Sequence, residues 1–130
     1  MNKVAIVHTG YYPEINENLL NGVNKAIDNS FELSTFKVPG SWDIVYKINT
    51  LSKDYKIFIA VGVICKGETD HYEYISNAVA NGLINLSISK SVYIANCVLN
   101  VHNIEQAKKR AADNNNKGSE AAKAINLLFA

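Results

Sequence analysis

The sequence predicts an α/β fold in which a four-stranded parallel sheet carries helices on both faces. Three observations predict it. Segments of strand length, either apolar or alternating, recur at Val4–Val7, Phe31–Val38, Tyr55–Cys65 and Val92–Leu99. Segments with apolar residues at helical spacing lie between them. The resulting order, βαβαβαβαα, joins each strand to the next through a helix, the connection that parallel strands require.

Val4–Val7 follows a single Lys and ends at His8-Thr9-Gly10. A continuous apolar run of this kind reads as a strand buried on both faces. Ile15, Leu19, Leu20, Val23 and Ile27 recur at helical spacing and predict a helix from about Pro13 to Asp28. Pro13 suits its first turn, where an N–H has no helical partner to lose. With the first strand starting so early, no N-terminal arm is expected. Phe31–Val38 sets Phe31, Leu33 and Thr35 against Glu32, Ser34 and Phe36, the alternation of a second strand. Pro39 holds Val38 extended and Gly40 permits a sharp turn. Ser41 is expected to cap the second helix, with Asp43 in its first turn and Ile44, Val45, Ile48 and Leu51 on its apolar face.

The third strand, Tyr55–Cys65, runs into Gly67–Tyr74, which reads GETDHYEY. Asp70 with Glu73 resembles a capping box. Ile75, Ala78, Val79, Gly82, Leu83 and Leu86 follow on one helical face, the clearest helix of the chain. Gly82 on that face is expected to allow close helix–sheet approach. Val92–Leu99 is the fourth strand. Ile104, Ala107 and Ala111 mark a fourth helix, Asp113–Gly118 a polar Asn-rich break, and Ala121, Ala124, Ile125 and Leu128 a final helix.

At 130 residues, 48% apolar and 19% charged, the chain suits one globular domain spanning residues 1–130. A formal charge of +1 gives no electrostatic case for nucleic acid or an anionic membrane. No apolar run approaches the length needed to span a bilayer, and no signal peptide is visible at the N-terminus. Cys65 and Cys97 both stand in apolar surroundings. They read as buried thiols of a protein in a reducing cytoplasm, not as a disulfide scaffold or metal site.

In an open parallel sheet, ligands bind beyond the carboxyl ends of the strands. Those ends are Gly10–Tyr12, Gly40–Asp43, Gly67–His71 and Asn100–His102, so four separate stretches are expected to meet on one rim. No phosphate loop, dinucleotide fingerprint, nucleophile elbow or zinc spacing is present. His8, His71 and His102 are too scattered to define a metal site. His71 stands at a helix start, where the dipole favours the neutral imidazole that can accept a proton. An exposed helix-start His is the plain alternative. Tyr11 and Tyr12 could stack on a planar heterocycle or pack on neighbouring loops. Trp42, the only Trp, is by default a core residue. Arg110 beside Lys108 and Lys109 reads by default as a solvated face.

Three stretches carry a resemblance to a known family. Val38-Pro39-Gly40-Ser41-Trp42-Asp43-Ile44 is similar to the Val-Pro-Gly-Ala-Phe-Glu-Ile segment of lumazine synthases. Gly62 to Tyr74, GVICKGETDHYEY, resembles their segment G-x-V-I-R-G-x-T-x-H-[FY]-[DE]-Y. Asn103-Ile104-Glu105-Gln106-Ala107 with Arg110, and Asn116-Lys117-Gly118, resemble their fourth-helix region. The likeness covers nearly the whole chain. It implies a flavodoxin-like three-layer sandwich and the penultimate step of riboflavin biosynthesis. In that step 5-amino-6-(D-ribitylamino)uracil condenses with 3,4-dihydroxy-2-butanone 4-phosphate. The family works without metal or organic cofactor and assembles as pentamers, in some members as larger shells, with active sites between subunits.

The resemblance also implies roles. His71 falls on the catalytic histidine. Tyr11 falls on an aromatic that stacks on the pyrimidine. Ser41, Trp42 and Asp43 fall on pyrimidine and ribityl contacts, and Val63, Ile64 and Cys65 on positions that meet the pyrimidine largely through backbone groups. Glu68 and Thr69 fall on the phosphate-binding turn. Arg110 of an adjacent subunit falls on a phosphate ligand, with Lys117 near the same site. Asn96 falls where a neighbouring subunit covers the ligand, usually with an apolar or aromatic side chain. Further departures are Tyr12 for the usual Asn, Asp43 for Glu, Lys66 for Arg and Glu68 for a small residue. The Asn-rich Asn114–Asn116 and the absent arm favour a pentamer, or a pair of pentamers, over a closed shell. Two alternatives stand beside the synthase: an archaeal-type riboflavin synthase, against which the intact Gly-x-Thr-x-His element argues, and a flavin- or lumazine-binding relative without turnover.

Overall fold

The computed structural model describes residues 2–67 and 71–130. Its elements are β1 (Asn2–Thr9), α1 (Pro13–Ala26), β2 (Phe31–Val38), α2 (Ser41–Leu51), β3 (Ile57–Cys65), α3 (His71–Lys90), β4 (Tyr93–Val101), α4 (Ile104–Arg110), β5 (Ala111–Ala112), β6 (Asn115–Asn116) and α5 (Lys117–Phe129). The four long strands pair in parallel in the order β2-β1-β3-β4. The fold is the expected flavodoxin-like three-layer sandwich.

Strand alternation builds the layers. Val4 and Ile6 of β1 and Ile57, Ile59 and Val61 of β3 face α1 and α5, where Leu19, Val23 and Ile125 are fully buried. Ala5 and Val7 of β1 and Phe58 and Ala60 of β3 face α2 and α3, against Ile44, Ile48, Val79 and Leu83. The continuous apolar run of β3 is thus the sheet's centre, buried on both faces, and each large side chain so placed contributes about 1.5–3 kcal/mol.

Several local expectations change. β1 is longer at both ends than the apolar run, because β2 pairs with it from Asn2↔Phe31 to Thr9↔Val38. α1 stops at Ala26, since Ile27 is already extended (ψ 140°). Ser41 is not a cap: Gly40 holds that position, and the Asp43 carboxylate reaches back to accept the Gly40 N–H at 3.0 Å. Gly82 does allow a close approach, but to α2: a Cβ there would lie 2.9 Å from Val45 Cγ1. Ala111 belongs not to α4 but to a small antiparallel ladder with Asn116; of the Asn-rich break, Asp113 and Asn114 form the turn, Asn115–Asn116 the second strand, and Lys117 and Gly118 already the start of α5. Asn103 and Asn116 cap α4 and α5 by accepting the Gln106 and Ser119 N–H groups, each at 3.1 Å. Of the two thiols, Cys97 is buried and Cys65 only partly so. Among the described residues, no helix is long and apolar enough to cross a membrane.

Candidate active site

Strand order creates a switch point. From β1 the chain passes through α1 to β2 on one side, then returns through α2 to β3 on the other. The carboxyl ends of β1 and β3 therefore open a crevice, the place where such sheets hold ligands.

The β1–α1 turn forms one lip. Tyr11 is 66% exposed, and Tyr12 sits in the left-handed region (φ 52°, ψ 61°) at the N-cap of α1. That conformation costs a non-glycine residue about 1–2 kcal/mol and needs support. Asn16, buried one turn into the helix, supplies it: its Nδ2 donates to the Tyr11 carbonyl at 2.7 Å and the Thr9 carbonyl at 2.9 Å.

The start of α2 forms the other lip. A Cβ on Gly40 would lie 3.7 Å from both the Tyr11 ring and the Asp43 carboxylate, so ring and carboxylate flank this glycine. Ser41 reaches down onto β3, where a Cβ on Gly62 would lie 2.9 Å from its Oγ. Tyr11, Ser41 and Asp43 thus gather at one mouth. Trp42 is no core residue. It is 62% exposed and lies along a groove of about 520 Å³ between α2 and α3, with Val45, Tyr46 and Leu86.

Val63 and Ile64 bury their side chains in opposite cores, leaving only backbone groups for the crevice. Cys65 Sγ stands 3.9 Å from the Lys66 carbonyl. The Lys66 N–H donates to the Val101 carbonyl at 2.8 Å, extending the β3–β4 ladder beyond Cys65. His71 is exposed in the first turn of α3. Next to it, the Tyr72 ring meets the His102 ring edge-on at 5.9 Å, joining α3 to the end of β4. Glu68, Thr69 and the Asp70 of the expected capping box lie outside the described residues.

The remaining candidates form a second group. Asn96, Arg110 and Lys117 line a concavity of about 410 Å³ along β4, with Asn100 and Glu120. Arg110 Nη1 donates to the Gln106 carbonyl at 2.9 Å, and Lys117 pairs with Glu120 at 3.3 Å on the surface. Exposed pairs of this kind are worth at most about 1 kcal/mol, so both cations can turn to an anionic ligand at little cost. Nearby, burial and then Glu120 push the Cys97 thiol up to about 12, against a smaller opposing effect of Lys117. Tyr11, Ser41, Asp43 and His71 do not line this concavity.

β4 is the last strand of its sheet. The Tyr93 N–H and the Val101 carbonyl point towards β3, so the Val98 N–H and carbonyl point outwards. Both are occupied from within the strand: Asn96 Oδ1 accepts the Val98 N–H at 3.0 Å, and Asn100 Nδ2 donates to the Val98 carbonyl at 3.3 Å.

Sequence reasoning passed over Asn16 and Asn100. Asn16 had a signal, for it lies on the same helical face as Leu19 and Val23, where a polar residue needs partners. Asn100 had only the i, i+4 echo of Asn96 across Val98.

Comparison with known proteins bears on the whole chain. The family model described as 6,7-dimethyl-8-ribityllumazine synthase matches residues 1–129. A 6,7-dimethyl-8-ribityllumazine synthase of Buchnera aphidicola subsp. Baizongia pistaciae is 40% identical over 127 residues, covering 92% of this chain and 80% of that protein. Those of Zymomonas mobilis subsp. mobilis and Sphingopyxis alaskensis are each 37% identical, covering 99% and 100% of this chain and 95% and 94% of theirs.

Proposed function

The chain belongs to the 6,7-dimethyl-8-ribityllumazine synthase family, and from that premise we propose how its residues divide the work of the reaction. The protein is a transferase of riboflavin biosynthesis. It condenses 5-amino-6-(D-ribitylamino)uracil with 3,4-dihydroxy-2-butanone 4-phosphate, releasing phosphate and water.

The observation that carries the assignment of residues is the meeting of Tyr11, Ser41 and Asp43 over Gly40 and Gly62 at the β1–β3 crevice. Tyr11 stacks on the pyrimidine. The backbone of Val63, Ile64 and Cys65 and the Ser41 hydroxyl read its edge. Trp42 adds a wall from the α2 side. Asp43 spends one lone pair on the Gly40 N–H and keeps others for ribityl hydroxyls. His71 transfers protons as the imine forms, phosphate leaves and the ring closes. Glu68 and Thr69 form the phosphate turn. With so few titratable groups at the mouth, most of the rate comes from holding two substrates in reacting geometry.

Arg110, Lys117 and Asn96 act on the site of a neighbouring subunit, Arg110 and Lys117 on the phosphate and Asn96 over the ring. Their separate concavity supports this. A guanidinium fork suits phosphate, and Arg110 need only leave one carbonyl of its own helix to offer it. The single domain, residues 1–130, works as a homopentamer or a pair of pentamers in the cytoplasm, without cofactor or metal. Apolar side chains left outside, Tyr46 at 72%, Ile88 at 74% and Leu127 at 86% exposed, support burial between copies.

Mixing the purified protein with both substrates and following lumazine absorbance tests the activity; product forming at the uncatalysed rate would refute it. Light scattering tests the assembly, with about five or ten chains expected and a particle of about sixty refuting it.

A further inference from the structure

The turn that presents Tyr11 is gripped from beneath by a side chain to which the reaction above gives no role. Asn16 is 3% exposed. Its Nδ2 has two hydrogens and three oxygens around it: the Thr9 carbonyl at 2.9 Å, the Thr9 Oγ1 at 3.1 Å and the Tyr11 carbonyl at 2.7 Å. All three belong to the segment that carries Tyr11. The amide cannot turn over, because its oxygen would then face two carbonyl oxygens, which only accept. That oxygen, Oδ1, is buried with no hydrogen-bond partner among the described residues. A buried amide that leaves its acceptor unmet and commits its donors to one turn is placed for that turn, not for the packing of α1.

We propose that Asn16 is a positioning residue, which fixes the Tyr11 ring over the pyrimidine by tying down the carbonyls of Thr9 and Tyr11. The proposal rests on the reading that Tyr11 stacks on the substrate. The geometry gives the amide this leverage. The Thr9 carbonyl ends β1, and the Tyr11 carbonyl leads into Tyr12, whose φ of 52° is unfavourable for an L-residue. Without the amide, the two carbonyls lose their common donor and Tyr12 can relax towards negative φ. The Tyr11 ring, largely in solvent, has little else to set its direction.

The test is steady-state kinetics of the assembled protein with both substrates. Asn16→Ala should raise KM for the ribitylaminouracil about fivefold to thirtyfold, the effect of one to two lost hydrogen bonds, and leave KM for the butanone phosphate within about twofold. Tyr11→Ala should raise the same KM, and the double variant should be no worse than Tyr11→Ala alone. Losses that multiply in the double variant would mean that Asn16 does not act through Tyr11, and would overturn the proposal. A silent Asn16→Ala beside a damaging Tyr11→Ala sinks the positioning role alone; a silent Tyr11→Ala sinks the stacking reading and this role with it. Should Asn16→Ala fail to fold, Asn16→Leu keeps the volume of the amide and removes its donors. It should raise the uracil KM about fivefold to thirtyfold, and an unchanged KM would count against the proposal.

Discussion

Gly62→Ala would show whether Ser41 reads substrate from the place the fold gives it. A methyl on Gly62 would lie 2.9 Å from Ser41 Oγ, 3.2 Å from Thr9 Cγ2 and 3.5 Å from Ile44 Cδ1. The third distance is ordinary contact. The Ser41 hydroxyl is the end of a short rotor and can swing away at small cost, but it then leaves the crevice. The Thr9 methyl sits on a paired strand and can give only a few tenths of an ångström. Steric cost therefore falls at the low end of the range for overpacking, about 1–2 kcal/mol. For a chain of this length that is a drop of about 3–10 °C in Tm, at fixed protein concentration. The larger effect should be kinetic: KM for the uracil substrate rises while KM for the phosphate substrate holds. Ser41→Ala on the Gly62→Ala background removes the nearest clash, so Tm should recover in part while the uracil KM stays high. A Gly62→Ala protein with unchanged Tm and unchanged uracil KM would refute the reasoning.

Other expectations are simpler to state. Arg110→Ala should raise KM for the phosphate substrate far more than for the uracil, and equal effects on both would remove its phosphate role. His71→Ala should lose less than about a hundredfold in kcat if proximity dominates; a folded but inactive variant would show that proton transfer carries more of the barrier. Asn116→Ala removes both the cap on the Ser119 N–H and the bond to the Asn18 carbonyl at 3.0 Å, and should destabilise the fold by about 2 kcal/mol in denaturant titration. Cys97, its thiol pushed up to about 12, should resist a disulfide reagent at pH 8 in the folded protein while Cys65 reacts. The same shift has a consequence at high pH. Above the ordinary thiol value of 9.0 the unfolded chain gives up a proton that the folded chain keeps, so stability should fall as pH rises from about 9 to 12.

Where burial dictates the residue, the structure could be read from the sequence. The alternation of Phe31–Val38 gave β2 its observed bounds, and the apolar run before Gly67 ends where β3 ends. Pro39-Gly40 marked the lip that carries Ser41 and Asp43. What composition leaves open is decided by partners distant in sequence. β1 reaches Asn2 because Phe31 pairs with it. Ala111 looks helical by itself and becomes a strand because Asn116 lies opposite. Tyr12 adopts positive φ because an amide on the next turn holds the peptide before it, which no propensity expresses. The division of the candidate residues into two groups likewise follows from strand order: Arg110 and Lys117 come after β4, at the far side of the sheet from β2.

The asparagines that flank Val98 bear on what the edge of the sheet can pair with. β4 is the last strand of its sheet, and a bare strand edge invites a second chain to pair with it. Here the outward N–H and carbonyl at the middle of that edge are already taken by Asn96 and Asn100. Another backbone arriving at Val98 meets an N–H and a carbonyl that already have partners, so pairing is discouraged at the centre of the edge.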